Sequence, residues 1–96
     1  MRELDERAKT ALAAHRQLLE RWRSAMDLIG PGPSEPHFID ATEVVTGLEA
    51  VGAWADLGSG AGFPGIALAA LHAQAQVVLA ESRQKRATFL KRVVHT

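Results

Sequence analysis

The sequence predicts an α/β fold in which N-terminal helices precede one strand–helix–strand–helix unit. Two short apolar runs, 53–57 and 76–80, have the length of buried strands, and a glycine-rich turn follows the first run. A helix-forming stretch, 66–71, separates the two runs, so the strands should be parallel. We therefore divide the chain into a helical segment, 1–51, and an α/β segment, 52–96.

The helical segment begins with a long amphipathic stretch, in which apolar residues recur every three or four positions, as on one buried face of a helix. These residues are Leu4, Ala8, Ala11, Leu12, Leu18, Leu19, Trp22 and Met26. The helix should end near Ile29, because the glycines and prolines of residues 30–33 cannot continue it.

Two further amphipathic helices are expected, and each starts at a serine that can cap it. The helix starting at Ser34 has Pro36 in its first turn, and Ser82 precedes the final helix. The inward side chains of the first are expected to be Ile39, Val44, Val45, Leu48 and Val51. Those of the final helix are expected to be Ala87, Phe89, Leu90, Val93 and Val94.

Length and composition exclude several classes of protein. The 96 residues suit one small domain, and the absence of cysteine excludes a disulfide scaffold, a cysteine zinc site and a thiol nucleophile. The four histidines have no metal-ligand spacing, and we interpret His15, His72 and His95 as surface residues. No apolar run approaches the roughly 20 residues of a membrane span, and we expect a cytoplasmic protein.

The zero net charge conceals three blocks of charge. Residues 31–81 carry six acids and no lysine or arginine, whereas residues 82–96 carry five basic groups and no acid. The basic groups are Arg83, Lys85, Arg86, Lys91 and Arg92. They either complement the dipole of their own helix or form a patch that faces phosphates.

The glycine-rich turn carries the main functional signal. Gly58 and Gly60 can let the backbone approach a ligand, and Glu81, 23 residues after Gly58, ends the next strand. A carboxylate at that position can accept hydrogen bonds from two ribose hydroxyls, so the pattern predicts a nucleoside-containing cofactor. Asp56 lies two residues before the turn, where it would oppose a pyrophosphate but suit the positive sulfonium and ammonium of S-adenosylmethionine. A dinucleotide of the NAD type remains the alternative.

The string from Asp56 to Gly65 resembles the small-subunit (16S) ribosomal RNA methyltransferase G family, also called glucose-inhibited division protein B. Further similarity lies in residues 22–28, 37–40, 81–82 and 85–90. The sequence departs from the family pattern at four positions. These are Arg23, Asp27, Pro36 and Ala41.

The resemblance implies a Rossmann-like fold, S-adenosylmethionine as cofactor and methylation of guanine N7 in 16S ribosomal RNA. It implies that Gly58 and Gly60 approach the methionyl group, that Phe63 packs on the cofactor and that Glu81 holds the ribose. Asp56 would orient the loop or the cofactor ammonium, or would equally be a buried acid satisfied by backbone N–H groups. The structural alternatives are a core aromatic for Phe63 and a helix-cap partner for Glu81. No catalytic residue is identified.

Family members are about twice as long, so the chain resembles a truncated N-terminal half. We expect the 96 residues alone to bind cofactor weakly, to lack methyltransferase activity and to self-associate through exposed sheet edges. A non-catalytic module that binds RNA or protein is the second alternative.

Overall fold

The computed structural model describes residues 5–25, 28–48 and 51–95, and these form four helices and two strands. In chain order they are α1 (Glu6–Trp22), α2 (Glu35–Thr46), β1 (Gly52–Leu57), α3 (Gly65–Leu71), β2 (Ala75–Ala80) and α4 (Gln84–Val94). The order confirms the predicted α/β fold. No described helix is long and apolar enough to cross a membrane.

The two strands form a parallel sheet, as predicted. Gly52 pairs with Ala75 at one end and Leu57 with Ala80 at the other, so all six residues of each strand are matched. The carboxyl ends of both strands consequently lie side by side, and the glycine-rich turn leaves the sheet next to Glu81.

The expectation that both strands are buried is wrong for the described chain. Leu57 is 80% exposed and Val78 63% exposed, because a sheet of two strands is covered on only one face. On that face Val77 and Leu79 pack against the core. The exposed apolar side chains suit self-association, which stays a prediction.

Helix α1 is shorter than predicted. Its first turn is capped by Asp5, whose carboxylate accepts a hydrogen bond from the Ala8 N–H at 2.7 Å. It ends at Trp22 rather than near Ile29, and the Arg23 guanidinium reaches the carbonyls of Gly30 and Gly32, both at 2.7 Å. These bonds fold the following loop back on the helix end. Leu4 and Met26, at the ends of the predicted pattern, lie outside the described residues.

Helix α2 buries a different face from the one predicted. Ala41, Thr42 and Val45 are buried, whereas the other four members of the predicted stripe are exposed. They are Ile39, Val44, Leu48 and Val51. Ala41 and Val45 form a buried cluster with residues of α3, so the face of α2 that meets α3 is the one that is covered. Ser34 is the residue before the helix, but its side chain makes no capping bond.

Helix α4 buries Phe89, Leu90 and Val93, as predicted, but leaves Val94 62% exposed. It begins at Gln84, and Arg83 rather than Ser82 is the capping residue. The Glu81 carboxylate accepts the Arg83 N–H at 2.8 Å, just before the helix begins.

The core draws on both predicted segments. One cluster contains Leu19 and Leu28 from the helical segment and Ile66 and Phe89 from the α/β segment. A second cluster joins α2 to α3, and Phe63 packs against both clusters. The boundary at residues 51 and 52 stays a prediction, although the described core crosses it.

The interpretation of His15 as a surface residue is wrong. The side chain is fully buried at the centre of α1, where its ring contacts Phe38, Phe63 and Phe89 at centroid distances of 4.9, 5.0 and 6.2 Å. Its Nε2 lies 2.7 Å from the Ala61 carbonyl oxygen. The helical pattern marks a face through Leu12 and Leu19, and His15 lies between them on that face.

We expect the core to depend on Phe89, which is 0% exposed. Phe89→Ala should cost about 3–5 kcal/mol of the free energy of unfolding, because it leaves a cavity between α1 and α4. Val94→Ala, on the exposed side of α4, should stay within about 0.5 kcal/mol of the unsubstituted chain. Urea unfolding followed by circular dichroism measures both, and equal losses would contradict this assignment of the buried face.

Lowering the pH should destabilise the fold through His15. Burial lowers the pKa of His15 in the folded chain below the ordinary 6.5. At a pH between the folded and the unfolded pKa, the unfolded chain therefore binds a proton that the folded chain does not. The free energy of unfolding should fall as the pH drops through this interval, by at most about 1.4 kcal/mol per pH unit. Urea unfolding between about pH 7.5 and 5.5 measures this slope, within the range where histidine titrates.

His15→Phe should flatten that pH dependence, because it removes the titrating ring. His95→Gln, at an exposed histidine that follows α4, should retain it. An unchanged slope in a folded His15→Phe chain would assign the effect to another group.

Candidate functional site

The turn between β1 and α3 is built on glycines in the left-handed backbone region. Gly58, Gly60 and Gly62 have φ values of 68°, 54° and 100°. A β-carbon would find open space at Gly58, whereas at Gly62 it would collide with the side chain of Ile66. Gly58 is therefore needed for its backbone angle, and Gly62 for both its angle and close packing.

Hydrogen bonds fix the turn to the end of β2. The N–H groups of Gly58 and Ser59 both donate to the Ala80 carbonyl, at 2.7 and 3.0 Å, and the Gly62 N–H donates to the Ser59 carbonyl at 2.7 Å. We call residues 58–62 the glycine loop. Its backbone is thereby held beside Glu81 at the carboxyl edge of the sheet.

Glu81 connects the glycine loop to α4. One carboxylate oxygen accepts the Gly60 N–H at 2.8 Å and the other accepts the Arg83 N–H at 2.8 Å. The bond from Arg83 lowers the pKa of Glu81 most, followed by the bond from Gly60 and by the charges of Arg86 and Arg83. The carboxylate is therefore ionised at neutral pH. A carboxylate has about four lone-pair positions, so two more donors can be accepted.

Asp56 is directed at the other end of the turn. Its Oδ2 accepts the Gly65 N–H, the first of α3, at 3.1 Å. A β-carbon at Gly65 would lie 2.6 Å from this oxygen, so the glycine makes the close approach possible. This contact fits an acid satisfied by a backbone N–H as well as one that orients the loop, and the role of Asp56 toward a cofactor stays a prediction.

Phe63 forms the inner edge of the site. Its ring meets Phe38 edge-on at 4.8 Å, and the exposed ring of His37 stacks on it at 5.7 Å and 26°. The side chain is half-buried. Its predicted contact with a cofactor stays a prediction.

All five predicted cofactor residues thus lie around the carboxyl edge of the sheet. They are Asp56, Gly58, Gly60, Phe63 and Glu81. The structure adds two residues that the sequence did not connect to them. Arg86 Nη1 lies 3.8 Å from where a Gly60 β-carbon would be, and His15 bonds to Ala61. The sequence did place His15 in the middle of the apolar face of α1, and this position could have indicated that its side chain is buried.

Arg86 alters the electrostatic comparison between the candidate cofactors. The sequence suggested a loop surrounded only by acids, because no basic residue lies within 31–81. Folding brings Arg83 and Arg86 next to Glu81, so the loop has both acidic and basic neighbours. Charge alone therefore discriminates less between a cationic cofactor and a pyrophosphate than the sequence suggested.

Comparison with known proteins identifies the family of the chain. The sequence pattern of the rRNA small subunit methyltransferase G family matches residues 8–96. Proteins named ribosomal RNA small subunit methyltransferase G from Chelativorans sp. (strain BNC1) and Pseudomonas paraeruginosa (strain DSM 24068 / PA7) are 38% and 36% identical over 87 and 94 residues. The alignments cover 83% and 94% of this chain, and 41% and 44% of those proteins.

A protein of the same name from Cereibacter sphaeroides (strain ATCC 17029 / ATH 2.4.9) is 40% identical over 83 residues, which are 77% of this chain and 40% of that protein. The chain thus spans about two fifths of the length of the curated relatives it matches. The similarity confirms the resemblance seen in the sequence, and the family match covers residues 8–96. The chain belongs to the rRNA small subunit methyltransferase G family.

Proposed function

We propose that this chain supplies the cofactor-binding part of an enzyme that transfers a methyl group from S-adenosylmethionine to N7 of a guanine in 16S ribosomal RNA. Membership of the family supports a methyltransferase, and the names of the relatives support ribosomal RNA as their substrate. The small ribosomal subunit is then the partner, and the cytoplasm the compartment.

The observation that carries the proposal is the Glu81 carboxylate. It is ionised, bonded to the glycine loop through Gly60, and able to accept two further hydrogen bonds. Vicinal ribose hydroxyls provide two such donors, and a carboxylate at the end of the second strand is typical of nucleoside sites. The residues present therefore fit the nucleoside part of S-adenosylmethionine.

The chain's own residues position the reactants. When bound, S-adenosylmethionine supplies an electrophilic methyl group on a positively charged sulfur. Guanine N7 has an in-plane lone pair and carries no proton, so no base is needed before transfer. Gly58 and Gly60 allow close approach of the backbone, Asp56 holds the turn against α3, and Glu81 holds the ribose. The contribution of these residues to the rate is orientation and exclusion of water.

The basic start of α4 supports an RNA partner. Lys91 and Arg92 lie in the last turn, where they complement the helix dipole, and Arg92 also lies 5.6 Å above the Trp22 ring. Arg83 and Lys85 lie at the opposite end, where positive charge opposes the dipole, and both are exposed. The dipole therefore explains two of the five basic groups, and phosphate binding is the role we propose for the exposed Lys85.

We expect Glu81→Ala to weaken S-adenosylmethionine binding about 10- to 150-fold, as for loss of hydrogen bonds to a charged group. Chemical shifts of the glycine-loop amides in an NMR titration measure weak as well as tight binding. Glu43→Ala, which removes an exposed carboxylate of α2, is the matched control and should bind as the unsubstituted chain does. Unchanged affinity in a folded Glu81→Ala chain would remove Glu81 from the site.

We expect Lys85→Gln to weaken binding of a 16S ribosomal RNA fragment and to make its salt dependence shallower by up to about 0.9 in the slope of log K against log salt. Lys9→Gln removes one positive charge from α1, where Lys9 lies 3.6 Å from Glu6, and should leave the slope unchanged. Fluorescence anisotropy at several salt concentrations measures both. The same slope for Lys85→Gln and the unsubstituted chain would exclude Lys85 from the RNA contact.

A further inference from the structure

His15 makes a directional bond to the glycine loop from a helix 46 residues earlier in the chain. Its Nε2 lies 2.7 Å from the Ala61 carbonyl oxygen, which can only accept, so Nε2 carries the proton and donates. The neutral ring then has an unprotonated Nδ1. That nitrogen is buried and has no hydrogen-bond partner among the described residues.

An apolar side chain would fill this space at lower cost. The ring of His15 is enclosed by Phe38, Phe63 and Phe89, and leaving one imidazole nitrogen without a partner there is unfavourable. Packing therefore does not account for a histidine at this position. The bond from Nε2 to Ala61 is the contact that phenylalanine or leucine could not make.

The bond acts on the peptide at the centre of the glycine loop. The Ala61 carbonyl and the Gly62 N–H belong to one planar peptide, and the N–H donates to the Ser59 carbonyl at 2.7 Å. His15 and Ser59 thus hold the same peptide from its two sides. A β-carbon at Gly62 would lie 3.2 Å from His15 Nε2, so the loop rests directly on the ring.

We propose that His15 is a positioning residue, which sets the conformation of the glycine loop for cofactor binding through its bond to Ala61. The Gly60 N–H, which donates to Glu81, lies two peptides earlier in the same short loop, so displacement of the Ala61–Gly62 peptide would disturb that bond as well. The helical segment thereby contributes to a site whose residues all lie in the α/β segment. The link to cofactor affinity rests on the proposed function, whereas the link to loop conformation does not.

Two variants separate the bond from the packing. His15→Leu keeps an apolar side chain and removes the donor, whereas His15→Gln places an amide N–H near the position of Nε2. In the free chain, amide hydrogen exchange at Gly60, Ala61 and Gly62 should be about tenfold faster in His15→Leu, and within about threefold of the unsubstituted rate in His15→Gln. The Leu68 amide, inside α3, should be unchanged in both.

Affinity for S-adenosylmethionine should follow the same order, with a loss of about tenfold for His15→Leu and recovery in His15→Gln. Loop exchange that changes as expected, in a chain whose glycine-loop amides do not shift even at millimolar S-adenosylmethionine, would overturn cofactor binding at this loop and leave the effect of His15 on loop conformation intact. Binding by all three chains with equal affinity would overturn His15 as a positioning residue.

Two other results would also overturn the inference. One is faster exchange in the loop and at Leu68 by the same factor, since that reports only lower global stability. The other comes from the unsubstituted chain, so it does not depend on whether a variant folds. Nitrogen chemical shifts of the His15 ring should show the tautomer protonated at Nε2, and a ring protonated at Nδ1 instead contradicts the bond to Ala61.

Discussion

The in-register parallel pairing of β1 with β2 is the constraint on which the candidate site depends. It brings Leu57 beside Ala80, so the chain leaving β1 meets the chain leaving β2 at once. The Ala80 carbonyl can then accept two N–H groups of the glycine loop, and Glu81 can accept a third. A shift by one residue would turn Asp56 to the opposite face of the sheet and remove its bond to Gly65.

The parts of the site predicted from sequence are those whose chemistry is local. Gly58 and Gly60 were identifiable because the turn follows an apolar run directly and few other residues adopt its backbone angles. Glu81 was identifiable because it ends the second run, and the ends of parallel strands meet. A helix-cap partner was the alternative role for Glu81, and its bond to the Arg83 N–H beside the start of α4 fits that alternative. Its bond to the Gly60 N–H, 21 residues earlier, was not identifiable.

The parts that were missed depend on contacts between distant segments. A helical repeat gives the buried direction of α1 but not the polar partner of His15, which lies on a loop 46 residues away. The end of α1 is likewise accompanied by two hydrogen bonds from Arg23 to the carbonyls of Gly30 and Gly32. Helix propensities do not predict such contacts. On α2, Ala41 and Val45 are buried whereas Val44 is exposed, because the facing helix determines which side is covered.

The separation of charge along the sequence becomes a local pairing in the fold. Glu81 closes the acidic block and Arg83 opens the basic one, so the two blocks meet where the glycine loop touches the start of α4. The Arg83 N–H, the Gly60 N–H and the nearby guanidinium groups keep Glu81 ionised, although two acids flank the turn. In the proposed function the carboxylates then serve a cationic cofactor from within the turn, whereas the exposed Lys85 faces outward toward a polyanion. One short stretch of chain can therefore serve ligands of opposite charge, because its acids are turned toward the loop backbone and its exposed basic groups toward solvent.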